Sequence, residues 1–318
     1  MSTQNANANA NANANANANA NAGVSLGGLF GGGTRFNTYK IGKQAFIAGN
    51  PIVPAKYPPY NARWDAEHRA WVYVSEFVET HTTWFTSLKT AATTLLTRDG
   101  WPARHPATTI SPAEQNVVSK AALDLVDAAG EREDRFAEII DQHSGEGSIN
   151  YWLGMLHIDA AMHPKTYLLI RVARKIGEMA VMRLKIDFNA PRPSQLCPAI
   201  VPMLDTPGTA AYPAGHALQS YLISYVLIRA LPNVPQSSPL PAGWWVNPAV
   251  TPRIKQTHTG LFGLSQRVAD NRVIAGLHFD IDNEAGFILA GAIDGMLAAC
   301  PLFTALVNDA RAEFPQYN

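Results

Sequence analysis

Residues 216–231 read HALQSYLISYVLIRAL, a stretch with the length and apolar periodicity of a buried helix. Pro213 stands just ahead of it, near the predicted first turn, where a missing N–H costs no hydrogen bond. The same punctuation recurs upstream. Ser111, Pro112 and Glu114 form a capping box that starts a helix predicted to run to about Gln142 with a break at Gly130, and Pro164 starts another that continues to about Asp187. Residues 62–96 read as one long helix or two consecutive ones with aromatic side chains on the buried face. Residues 145–148 read as a turn and 149–163 and 258–276 as helices, with the last helix starting near Asp280. Strand signals are scarce. The expected fold is an all-α helical bundle in a single domain. Loops around 194–212 and 232–256, the second carrying Trp244 and Trp245, are expected to shape the entrance of a pocket.

The N-terminal part cannot contribute to such a bundle. Asn and Ala alternate from Asn5 to Ala22 and a glycine-rich stretch follows, so residues 1–35 are expected to be disordered and 36–318 to form the folded domain. The repeat lacks the basic start and apolar core of a secretory signal, and no run of about 18 uncharged apolar residues appears elsewhere, which gives the expectation of a soluble, cytoplasmic protein without a membrane span. With 25 acidic and 25 basic residues there is no net field to attract nucleic acid or a membrane surface. A homo-oligomer stays open. Cys197 and Cys300 are too few for a disulfide framework, and His157 and His163, six apart, do not share a helix face as metal ligands would, so no metal site is expected. The charged segment 130–136, GEREDRF, reads as a solvated helix face, and Arg171, Arg174 and Lys175 as a wet stripe on theirs.

Three segments concentrate residues suited to chemistry. In KIDFNAPRPSQL, Lys185 lies near a helix end and Arg192 is flanked by Pro191 and Pro193, which hold its backbone extended and its guanidinium with little freedom to lose. In YPAGHA, Gly215 would let an anion approach the N–H groups of a helix start, with His216 beside it. In NRVIAGLHFDIDNEAG, Arg272 closes a helix, and Asp282 follows His278 by four residues, a spacing that lets the carboxylate fix one imidazole nitrogen and leave the other with a free lone pair. Two arginines and a lysine suit the oxygens of a tetrahedral oxyanion.

The ordered set Lys185-x6-Arg192-Pro193, Pro213-Ala214-Gly215-His216 and Arg272-x5-His278-x3-Asp282 resembles the three-part signature of the superfamily that joins type 2 phosphatidic acid phosphatases, bacterial class A acid phosphatases and vanadium-dependent haloperoxidases. The match covers residues 185–282; residues 1 to about 150 carry no motif of the family. The resemblance implies a helical bundle of the phosphatase/haloperoxidase type. It also implies that Lys185, Arg192, Arg272 and the Gly215 N–H hold phosphoryl or vanadate oxygens, and that His278 attacks phosphorus or ligates vanadium. Asp282 would orient His278, and His216 would protonate the leaving alcohol and then activate water. Two positions depart from the family: Ala214 where a serine usually donates to the anion, and Asn271 where serine usually precedes the arginine, although asparagine can still donate.

The expected function is an acid-phosphatase-like, metal-independent hydrolase of small phosphomonoesters, needing no cofactor. One alternative is a haloperoxidase that carries vanadate and oxidises halide with hydrogen peroxide. A further alternative is a non-catalytic, anion-binding homologue, for which Ala214 argues. Chain length favours the phosphatase, because the best-known haloperoxidases of the group are longer.

Overall fold

The computed structural model describes residues 64–102, 110–143, 145–240 and 244–314. The repeat and glycine-rich stretch expected to be disordered, residues 1–35, lie outside them. Among the described residues every regular element is helical. Helix α1 spans Ala66–Thr80, α2 Trp84–Arg98 and α3 Pro112–Ala128; a short 3-10 turn at Ala129–Glu131 leads into α4, Arg132–Asp141. Helix α5 covers Gly145–Leu156, α6 Pro164–Phe188, α7 the single turn Pro193–Leu196, and α8 Gly215–Ala230. After a 3-10 turn at Trp244–Val246 come α9, Pro252–Ile274, α10, Asp280–Leu297, and α11, Pro301–Arg311. Internal contacts divide the chain after Arg69. The described part of the first unit is only the start of α1, where Asp65 accepts from the His68 N–H at 2.8 Å.

Within the second unit, α8 is the buried centre. Its residues from Ala217 to Ala230 are buried almost without interruption, because α6, α9 and α10 pack around it. A helix apolar on every side is stable only when so surrounded. The few polar groups along it are paired, as buried polar groups must be. Trp152 Nε1 donates to Ser224 Oγ at 2.9 Å, Ser224 Oγ donates to the Leu261 carbonyl at 2.9 Å, and Arg229 forms a buried ion pair with Asp294 of α10 at 2.9 Å.

Several boundaries differ from the sequence reading. Of the two readings of residues 62–96, the structure holds the second, two consecutive helices, separated where the Trp84 N–H turns back to the His81 carbonyl at 2.9 Å, and its described part begins at Trp64. Residues 145–148 open α5 instead of forming a turn, because Glu146 pairs with Arg171 at 2.7 Å and also with Arg174, pinning the helix start to α6. Helix α5 stops at Leu156 and not near His163: His157 takes a left-handed φ of 52°, and Asp159 Oδ1 accepts from the Ala161 N–H at 2.8 Å. Arg171 is 9% exposed, so the stripe read as wet is a packed, ion-paired face. Helix α9 starts at Pro252, capped by Thr251, and α11 follows the helix expected to be last. Pro213 lies one residue before the N-cap Ala214, outside the first turn of α8. No single helix among the described residues is long and apolar enough to cross a membrane, although α10 and α11, bent by 97°, pass a test of length and composition as a pair.

Gly286 sets how closely α10 rides on the start of α8. A Cβ there would stand 2.7 Å from Ala217 Cβ, 2.8 Å from the Leu218 nitrogen and 3.1 Å from the Ala214 carbonyl oxygen. Two of those three neighbours are backbone, which cannot step aside. Gly286→Ala should therefore lower the unfolding free energy by about 1–3 kcal/mol through overpacking, seen as a reduced urea midpoint at unchanged m-value.

Candidate active site

The three motif segments reach one place through helix ends. Lys185 is in the last turn of α6, Arg192 is the N-cap of α7, Gly215 and His216 begin α8, Arg272 is in the last turn of α9, and Asp282 is in the first turn of α10. The link carrying His278 turns at Gly276, whose φ of +78° is left-handed; a Cβ there would also meet Arg132 Nη2 at 2.9 Å and Pro202 Cα at 3.2 Å. The Ala214 N–H donates to the Asp282 carbonyl at 2.9 Å, which docks the second segment on the third. Lys185, Arg192, Gly215, His216, Arg272 and His278 all line one cavity of about 280 Å³. Asp282 lies beyond His278, against a smaller apolar cavity lined by Phe188, Tyr212 and Phe279 among others.

His278 is held at both nitrogens. Its Nδ1 is 3.0 Å from Asp282 Oδ2 and its Nε2 is 2.9 Å from Arg192 Nη1. A guanidinium can only donate, so Nε2 is the acceptor and Nδ1 carries the hydrogen given to Asp282. The lone pair on Nε2 is the one the i, i+4 spacing predicts. Asp282 Oδ2 also accepts from the Phe279 N–H at 3.1 Å. The Arg192 backbone is extended, with φ −75° and ψ 155°, as its flanking prolines require. Its guanidinium also donates to the Thr209 and Leu277 carbonyls at 2.9 Å each and to Thr209 Oγ1 at 3.2 Å. Lys185 Nζ donates to the carbonyls of Ala210 and Ala211. Arg272 is 1% exposed, and only Nη2 is bonded, to the Ile139 carbonyl at 3.0 Å. Its Nε and Nη1 are buried with no hydrogen-bond partner among the described residues.

Poor hydration, and the positive charge gathered beside it, shift the titrating residues of the three motif segments. Burial, then Arg192, pushes the Lys185 ammonium down to about 7. Burial alone takes Arg272 down to about 10. Burial and then Arg192 hold His278 well below the ordinary histidine range, and burial and then Arg272 lower His216 to about 3. Asp282 is pushed up to about 7 by burial against the pull of Lys185. The three motif cations, Lys185, Arg192 and Arg272, line this cavity while the motif carboxylate, Asp282, lies behind it, an arrangement that favours an anion.

Other residues join the site without having been read from the sequence. Gln142, at the end of α4, accepts at its carbonyl from His216 Nε2 at 3.1 Å. His143, Arg174, Glu178 and Gln219 line the cavity, with Arg174 and Glu178 on the face of α6 that ends at Lys185; four-residue spacing along that helix was the available signal. Segment 130–136 is largely the solvated face read from the sequence, with Gly130, Glu131, Glu133, Asp134 and Phe136 exposed, but its half-buried Arg132 turns inward and donates from Nε to the Ile274 carbonyl at 2.8 Å. Of the two loops expected at the entrance, the first contributes Pro207 and Thr209, and among the described residues the second contributes none. Trp244 instead packs edge-on against His258, with centroids 5.2 Å apart. Asn271 does not line the cavity; its Nδ2 donates to Gln142 Oε1 at 2.9 Å and Glu138 Oε2 at 3.1 Å. Ala214 leaves the start of α8 without a side-chain cap. At Gly215 a Cβ would meet only Val181, at 3.7 Å, so packing within the protein does not by itself demand glycine there. Among the described residues no three His, Cys, Asp or Glu side chains are placed to hold a metal ion. No protein-family model matches the chain, and neither does any curated protein.

The lowered affinity of His216 for a proton ties stability to pH with a definite sign. Unfolded, this histidine binds its proton near 6.5; folded, only near 3. The unfolded chain thus holds more protons between these values, and His216 contributes stability above pH 6.5 that is lost as pH falls. Asp282, shifted upward, acts in the opposite sense, so a difference isolates the histidine. Between pH 6 and 4 the urea-unfolding free energy of His216→Gln should depend on pH less steeply than that of the wild type, by about 1.4 kcal/mol per pH unit at most.

Proposed function

We propose that this chain hydrolyses phosphomonoesters through a phosphohistidine formed on His278, with the bundle and residue roles of the phosphatase/haloperoxidase superfamily that its motifs resemble. The observation that carries this reading is Arg272: two buried guanidinium nitrogens, Nε and Nη1, without a partner among the described residues, in the same cavity as a neutral histidine whose Nε2 lone pair is fixed by Asp282. Unsatisfied buried donors of this kind call for an oxyanion.

The geometry supports the following chemistry. Arg272, Lys185 and the N–H groups at the start of α8 take the phosphoryl oxygens, and Arg192 Nη1 exchanges His278 Nε2 for one of them. The Nε2 lone pair attacks phosphorus as the bond to the leaving oxygen breaks, and that oxygen takes the electron pair and a proton from His216. The Asp282 carboxylate stabilises the positive charge that appears on the His278 ring. Water then attacks phosphorus, the P–N bond breaks back to Nε2, and His216 receives the proton of the water. A bound dianion offsets the Arg272 charge that helps to hold His216 neutral, so the substrate itself supports protonation of the acid.

p-Nitrophenyl phosphate should be hydrolysed in the presence of EDTA and inhibited by orthovanadate, whose oxygens the same donors fit. His278→Ala should lower kcat by about 10⁴-fold and Arg272→Ala by about 10²–10³-fold. If vanadate-loaded protein instead oxidises bromide with hydrogen peroxide and no ester is hydrolysed, the haloperoxidase alternative replaces this reading. Anion binding without either activity would leave the non-catalytic one.

Ala214→Ser should restore a donor at the start of α8. It should tighten vanadate inhibition by about tenfold or more, in line with about 1.5–3 kcal/mol for one hydrogen bond to a charged partner.

A further inference from the structure

The end of α4, a helix that carries none of the motif residues, is also built into the site. Its last turn supplies the Ile139 carbonyl to Arg272 Nη2 at 3.0 Å, and Gln142, next after the helix, supplies its carbonyl to His216 Nε2 at 3.1 Å. A carbonyl only accepts, so this contact fixes His216 as the Nε2–H tautomer and leaves the lone pair on Nδ1. Gln142 is itself completely buried and therefore needs an anchor. That anchor is Asn271, also completely buried, whose Nδ2 donates to Gln142 Oε1 at 2.9 Å. The Asn271 amide is oriented in turn, since Arg135 Nη1 donates to its Oδ1 at 3.3 Å while Nδ2 reaches Glu138 Oε2 at 3.1 Å. Glu138 is clamped by Arg267 through contacts of 2.7 and 2.6 Å. The hydrogen bonds of this chain run from Arg267 of α9 to Glu138 of α4, back to Asn271 and on through Gln142 to the His216 ring, and none of them is made by the side chain of a cation that would hold an anion.

We propose that Asn271 is a positioning residue for His216: by holding Gln142 it fixes the ring's tautomer and direction, so that proton delivery to the leaving group depends on Asn271 while oxyanion binding does not. The kinetic half of this inference rests on the phosphatase reading; the tautomer half does not. The sequence departure at Asn271 thereby has a physical role, since an amide can donate to Gln142 and Glu138 while accepting from Arg135, which a shorter hydroxyl cannot do over the same span.

The test compares the wild type with Asn271→Ala and with Gln142→Met, which removes the same link from the other end and carries the test if Asn271→Ala does not fold. In full-length protein labelled with ¹⁵N-histidine, long-range ¹H–¹⁵N spectra report each ring's tautomer, His216 being assigned by the signals lost in His216→Gln. The wild type should show His216 as Nε2–H, and both variants should show a mixture or the Nδ1–H form while His278 keeps its own tautomer. For phenyl phosphate, whose leaving group needs a proton, kcat/KM should fall by about 10–100-fold in both variants. For 2,4-dinitrophenyl phosphate, whose leaving group does not, it should stay within about threefold, and the inhibition constant of inorganic phosphate within about twofold. Unchanged His216 signals in both variants, or an equal loss on both substrates, would overturn the proposal. If the wild type hydrolyses neither ester but the tautomer of His216 still changes, the phosphatase reading falls and the positioning role stands.

Discussion

A single main-chain hydrogen bond, from the Ala214 N–H to the Asp282 carbonyl, joins the start of α8 to the first turn of α10. It can form only because Gly286 lets the two helices approach to a distance at which any side chain would collide with backbone. With that contact made, Gly215 and His216 stand beside His278, and the ends of α6 and α9 bring Lys185 and Arg272 to the same cavity. The buried length of α8 keeps this arrangement rigid: a helix enclosed by α6, α9 and α10 and tied to α10 by Arg229 and Asp294 has no freedom to slide.

Electrostatics sets the second condition. Three cationic side chains are gathered where hydration is poor, with one carboxylate behind them, and the protein steadies them with carbonyl dipoles. Arg192 rests on the carbonyls of Thr209 and Leu277, Lys185 on those of Ala210 and Ala211, and Arg272 on that of Ile139. These acceptors are weaker than a phosphoryl oxygen, so a tetrahedral oxyanion would gain the donors by substitution, with no new strand of backbone to assemble.

How much of this could be read from residue order depends on the range of the forces involved. Helices with local start signals, such as the Ser111–Glu114 capping box and Pro164 at the head of α6, are written in neighbouring residues. The same is true of the His278–Asp282 pair and the stiffened Arg192, which rest on four-residue spacing and on proline geometry. Tertiary contacts decided the rest. Residues 145–148 look like a turn until Arg171 draws Glu146 against α6, and nothing in the exposed segment 130–136 announces that the last turn of the same helix brings Ile139, and then Gln142, to Arg272 and His216. Asn271 looked like a near-equivalent of serine, yet its amide is bound to partners about 130 positions away, which no local pattern encodes.

Every helix that serves the site gives it a terminal turn: the ends of α4, α6 and α9 and the beginnings of α7, α8 and α10. Terminal turns hold the fewest internal hydrogen bonds and are the first parts of a helix to open. The cavity is thus the seam at which the bundle is least stitched. An oxyanion held there by α6, α8 and α9 at once would serve as a rivet as well as a reactant, coupling the firmness of that end of the molecule to its occupancy.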